Sequence, residues 1–193
     1  IDKAANSGAT PLFMTSQKGR VEVARLLLEA GADIDRAANN GATPLLMASG
    51  EGHVEVVRVL VEKGADINKA NNDGYTPLLM ASLMGHVEVV KVLVEKGADI
   101  NKADNNGITP LYIASEMGHV EVVGVLVEKG ADINKADNDG YTPLHIASGQ
   151  GYVEVVRELV EKGADINKAN NNGITPLLMA LLKGHVEVVG VLV

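Results

Sequence analysis

Residues Gly74–Asn101 read GYTPLLMASLMGHVEVVKVLVEKGADIN, and the same phrase returns every 33 residues. Gly8, Gly41, Gly74, Gly107, Gly140 and Gly173 each open a G-x-T-P-L segment. A fixed period of this size is one supersecondary unit stacked along an axis, and it sets the architecture before any other argument. The period also narrows the functional question. A stack of repeats offers a long surface rather than a buried pocket, so its default role is to hold another molecule.

One period can be read residue by residue. Thr76 is suited to cap a helix through its side-chain oxygen, and Pro77 fits the first helical position, where no N–H is needed. Leu78, Met80 and Ala81 give that short helix an apolar inner stripe, and Gly85 closes it as a left-handed cap. His86 precedes a second helix over 87–96, in which Val89, Val90, Leu93 and Val94 recur at helical spacing before Gly97 ends it. The stretch from Ala98 to Gly107 is rich in Asp, Asn and Gly, which favour turns, and Asn106-Gly107 predicts a tight one. Each unit is therefore expected to be helix, turn, helix and a projecting hairpin-like loop.

These residues resemble the ankyrin repeat family over the whole chain: six units share T-P-L, five share G-A-D-I-[DN], and four share G-H-V-E-V-V. The resemblance implies an all-α repeat solenoid of stacked helix-turn-helix units with projecting β-hairpin loops. The expected organisation is a single array over 1–193, with repeats at 5–37, 38–70, 71–103, 104–136, 137–169 and a truncated 170–193. Ile1-Asp2-Lys3-Ala4 resembles the tail of a preceding repeat, and the last residues lie inside a second helix. The expectation drawn from both ends is a segment of a longer array.

Departures from the family pattern carry information. The family usually has His after T-P-L, where the imidazole bonds neighbouring backbone; only His145 fits, and Phe13, Leu46, Leu79, Tyr112 and Leu178 replace it. That predicts cohesion by apolar packing at the five replaced positions. Gly124 and Gly190 stand where other second helices have Arg25, Arg58, Lys91 and Arg157, at a cost of about 1 kcal/mol relative to Ala. Asp-Gly-Tyr-Thr and Asn-Gly-Ile-Thr alternate with a 66-residue rhythm, which reads as duplication of a two-repeat block, in evolution or by design.

Composition excludes several function classes. The net charge of −8 argues against nucleic acid, whose phosphates need clustered Lys and Arg. Without cysteine there is no disulfide framework and no thiolate chemistry. No apolar run approaches the roughly 20 residues of a membrane span, and the N-terminus lacks signal-peptide character, so an intracellular, cytoplasmic protein is expected. Local alternation of sign, as at Asp66 and Lys69, reads as solvated surface.

No catalytic constellation is visible. His53, His86, His119 and His185 recur once per repeat, but stacked layers hold equivalent side chains about 8–10 Å apart, too far to share a zinc ion. The Glu ladder, Glu22 to Glu187, lies in first turns of second helices, where the helix dipole favours a carboxylate. The sequence therefore predicts no enzyme, no cofactor and no metal.

Comparing repeats with one another separates constant from free positions. The freest are the residue after the loop Gly and two residues near the end of the first helix, such as Leu83-Met84 and Glu116-Met117. In the ankyrin family these places lie at the hairpin tips and along the concave groove. The candidate partner-binding residues are Tyr75, Leu83, Met84, Ile108, Glu116, Met117 and Tyr141, centred on repeats three and four. Met and Tyr suit an adaptable, energetically concentrated contact surface. Against this stands the plainer reading that Leu83 and Met84 only pack on the next repeat. The expected function is a noncatalytic scaffold for a protein partner, in a chain that is monomeric or weakly self-associating end to end. The alternative is a structural or synthetic array without a dedicated ligand. Asn40-Gly41, Asn106-Gly107 and Asn172-Gly173 add a deamidation liability.

Overall fold

In a computed structural model, residues 1–193 form twelve helices and no strand, grouped in two compact units, Ile1–Asp99 and Ile100–Val193. The first unit contains α1 (Pro11–Gln17), α2 (Val21–Glu29), α3 (Pro44–Gly50), α4 (Val54–Glu62), α5 (Pro77–Leu83) and α6 (Val87–Glu95). The second contains α7 (Pro110–Met117), α8 (Val120–Glu128), α9 (Pro143–Gln150), α10 (Val153–Glu161), α11 (Pro176–Lys183) and α12 (Val186–Leu192). Within the first unit, α1, α3 and α5 pack in one row and α2, α4 and α6 in another; within the second, α7, α9 and α11 pair with a row of α8, α10 and α12.

Each first helix starts as its sequence predicts. The Thr hydroxyl preceding Pro accepts the backbone N–H three residues on, at 3.1 Å for Thr43, Thr76 and Thr109. That satisfies one of the donors a helix N-terminus leaves open. The turn into the second helix needs a left-handed residue: Gly52 has φ +75°, and a Cβ there would meet the His86 imidazole at 2.8 Å. Only glycine satisfies both the conformation and the close approach.

The second helices bury one face. Val56, Val57 and Leu60 in α4, and Val89, Val90 and Leu93 in α6, are buried together with Leu45 and Leu78 from the first helices. Leu126, Leu144 and Leu159 repeat the arrangement in the second unit. Each fully buried Leu or Val contributes about 1.5–3 kcal/mol relative to exposure. Stacking supplies this burial: Val23 is 47% exposed, whereas its equivalent Val56, with α2 packed on α4, is 1% exposed. The stripe differs slightly from the sequence expectation. Val92 is buried and Val94 only partly so, and Ser82 is buried where Met80 is half-buried.

The expected β-hairpins form as hydrogen-bonded turns without strands. Asp104 N–H donates to the Ile108 carbonyl (3.0 Å) and Gly107 N–H to the Asp104 carbonyl (3.2 Å). Two further donors, Asn106 and Ile108 N–H, turn to the Asp104 Oδ1 at 2.8 and 2.9 Å. A side chain thus takes bonds that a strand ladder would need. Successive tips then bond to one another: Asn72 N–H to the Asn40 carbonyl (3.0 Å), and Asn138 N–H to the Asn106 carbonyl (3.1 Å). A second ladder runs behind the tips, where Lys69 Nζ reaches the Asp35 carbonyl and Lys135 Nζ the Asn101 carbonyl, both at 2.9 Å. Lys69, which reads as a solvated charge, is therefore a partly buried structural donor, and so is Lys135.

Candidate functional site

The sequence singles out two kinds of position, and each unit presents both. In the first unit, Leu83 is the last residue of α5 and Met84 follows it as the cap. Met84 is 52% exposed and Leu83 half-buried. Tyr75 sits just past the loop glycine with its N–H on the Asn71 Oδ1 at 2.9 Å, and its side chain is half-buried. Met84 is therefore no core residue.

In the second unit, Glu116 and Met117 end α7, and Met117 is 45% exposed. Ile108 is half-buried and held through its N–H by Asp104. Tyr141 lies edge-on to His145, with ring centroids 5.8 Å apart and planes at 89°. Glu116 and Tyr141 come together around a pair that sequence reasoning missed: the Tyr112 hydroxyl donates to the Asp137 Oδ2 at 3.0 Å. Burial, and next the Asp137 charge, hold the Tyr112 phenol well above its ordinary range. Burial also raises the Glu116 carboxyl, with Asp137 adding to it.

Tyr112 corrects one expectation. At this replaced position, cohesion with the next repeat comes from a hydrogen bond as well as packing. Tyr112 reaches the next repeat's loop 25 residues on, at Asp137, whereas His145 reaches it 29 residues on, at Ile174. His145 itself does as expected: Nδ1 accepts the Thr142 N–H (3.1 Å), and Nε2 bonds the Ile174 carbonyl of the next repeat (2.9 Å). Burial lowers its pKa, so the neutral ring fits this double role.

The second His ladder is structural. Nε2 of His53 bonds the Gln17 carbonyl (3.0 Å), that of His86 the Gly50 carbonyl (2.9 Å) and that of His185 the Gly149 carbonyl (3.0 Å). Each ring ties a second helix to the end of the preceding first helix. At the free positions 17, 50 and 149 the carbonyl is thus committed while the side chain can vary. The recess beside His53, about 380 Å³, is lined by Gly19, Gly52, His53 and short aliphatic side chains, with Glu55 at its edge. No three His, Cys, Asp or Glu side chains are grouped so as to hold a metal ion. No helix is long and apolar enough to cross a membrane.

A family profile described as Ankyrin repeats (3 copies) matches residues 1–71, 64–137 and 130–193. The chain belongs to the ankyrin repeat family. Its fold class is accordingly the all-α repeat solenoid, and ankyrin repeats are generally protein–protein interaction modules. No curated protein matches the chain. In this ankyrin array the Thr, Pro, Leu, His and Gly positions serve stacking, and the ends of the first helices and the residues after the loop glycines are where it varies.

Proposed function

We propose that this ankyrin array is a noncatalytic scaffold that binds a protein partner through the ends of its first helices and its loop tips. In the first unit Leu83, Met84 and Tyr75 make the contacts; in the second, Ile108, Glu116, Met117 and Tyr141 do. The observation that carries the reading is the exposure of Met84 and Met117 at variable positions, on backbone whose own hydrogen bonds are satisfied. Flexible, polarisable side chains on a rigid frame can adapt to a partner at low ordering cost. Glu116 adds an acidic contact, since no cation pairs with it in the fold, and so it favours a partner with Lys or Arg at that point.

The test is affinity capture from cell lysate with the parent chain and with Met84→Asp/Met117→Asp, after circular dichroism shows both equally folded. Capture by the parent and loss by the variant supports the proposal. Equal capture by both places binding elsewhere on the array.

A further inference from the structure

The methionines of this chain sit in two kinds of surroundings. Met47 and Met80 lie within first helices and pack against the buried cluster of Ala9, Phe13, Ala42 and Leu46. Met80 is fitted closely to the layer before it: a Cβ added at Gly50 would meet its Cε at 3.1 Å. Met84 and Met117 instead stand at the ends of α5 and α7 and are exposed. Other repeats carry Lys18, Glu51, Gln150 and Lys183 at the equivalent place, so the fold makes no demand there for an apolar side chain. What the fold uses is the backbone, with the Met84 N–H on the Met80 carbonyl (3.1 Å) and the Gly118 N–H on the Ser115 carbonyl (3.4 Å).

The thioether sulfur is soft and oxidisable, and at these two positions it is open to a small solute. With peroxide, a sulfur lone pair attacks one peroxide oxygen, an S–O bond forms as the O–O bond breaks, and water leaves. Sulfur loses two electrons and peroxide gains them. Two thiols of a sulfoxide reductase give two electrons back, releasing the oxygen as water and closing a disulfide. The sulfoxide is polar, as Gln150 already is at the same place in another repeat.

We propose that Met84 and Met117 are a reversible oxidation site, at which peroxide changes the surface of the array without loosening its stack. The consequence for binding rests on the contact role proposed above. A sulfoxide oxygen pressed against an apolar partner surface loses its water without gaining a donor, which weakens binding about tenfold per methionine.

The test is brief exposure to dilute hydrogen peroxide of the folded parent chain and of its Met14→Leu variant, which lacks the other exposed sulfur. Peptide mass spectrometry follows oxygen addition at each Met, and thermal melts of the variant follow the stack. The expected result is conversion of Met84 and Met117 severalfold ahead of Met47 and Met80, with the melting temperature unchanged and the rates converging in denaturant. Equal rates in the folded chain, or a lowered melting temperature once only Met84 and Met117 have reacted, overturn the proposal. So does the same ranking in denaturant, since burial would then not set it. A partner captured by the unoxidised chain and held equally well after oxidation overturns the consequence for binding. No capture by the unoxidised chain refutes the contact role itself, while the mass spectra still decide the oxidation site.

Discussion

Replacing Tyr112 with Phe removes one oxygen and leaves the ring to pack as before. The lost bond, from the phenol to the Asp137 Oδ2 at 3.0 Å, links consecutive repeats of the second unit. A hydrogen bond to a charged acceptor contributes about 1.5–3 kcal/mol, but Asp137 is half-buried and water can reach it, so the expected loss is about 1–2 kcal/mol. Urea unfolding followed by circular dichroism at neutral pH measures it, with the slope unchanged and the midpoint lowered. The pH dependence supplies a second reading. The folded chain holds the phenol proton more tightly than the unfolded chain, whose phenol titrates near its ordinary value of about 10. Stability from this group is therefore full below that pH and is lost as pH rises above it, a loss Tyr112→Phe lacks. The reasoning fails if Tyr112→Phe unfolds at the parent midpoint. It also fails if the variant's cost persists unchanged in an Asp137→Ala background, since the two residues would then be uncoupled.

Other consequences follow from the same geometry. Gly124 is helical, and an added Cβ would find only the Glu158 Oε1 at 3.6 Å, so Gly124→Ala raises stability by about 1 kcal/mol in thermal melts. Gly118→Ala does the reverse, because φ there is +75° and the Tyr152 ring stands 3.0 Å from the new Cβ. Removing the cap with Thr109→Ala lowers stability by about 1 kcal/mol in the same assay. His145 is held below its ordinary pKa by burial, so the unfolded chain takes up its proton first as pH falls. Its contribution is full above about 6.5 and lost below it. His145→Leu flattens that slope and costs about 1–3 kcal/mol at pH 8, since the Thr142 N–H and Ile174 carbonyl lose their partner.

The repeat made the fold legible because one local rule applies six times. Thr10 through Thr175 cap, Pro follows, and a left-handed glycine ends each first helix, all within a few residues of chain. Features that join residues 25 to 36 positions apart were harder to read. The Tyr112–Asp137 bond and the Lys69 bond to Asp35 depend on how one layer sits on the next, which a single period does not display. The loops were read as hairpins because their Asn-Gly and Asp-Gly turns are hairpin turns. That Asp104 would divert two backbone donors from a ladder depends on its rotamer. Among the candidate surface residues, the free exposure of Met84 and Met117 follows from variation between repeats. The half-burial of Tyr75, Ile108 and Tyr141 does not, since apolar tip residues can lie down on the helix beside them.

Methyl NMR of the six methionines, recorded with and without a captured partner, tests the binding account most directly. The account predicts that the Met84 and Met117 methyl signals shift or broaden on binding, while half-buried Met47 and Met179 stay in place. A bound partner that leaves Met84 and Met117 unmoved would contradict it.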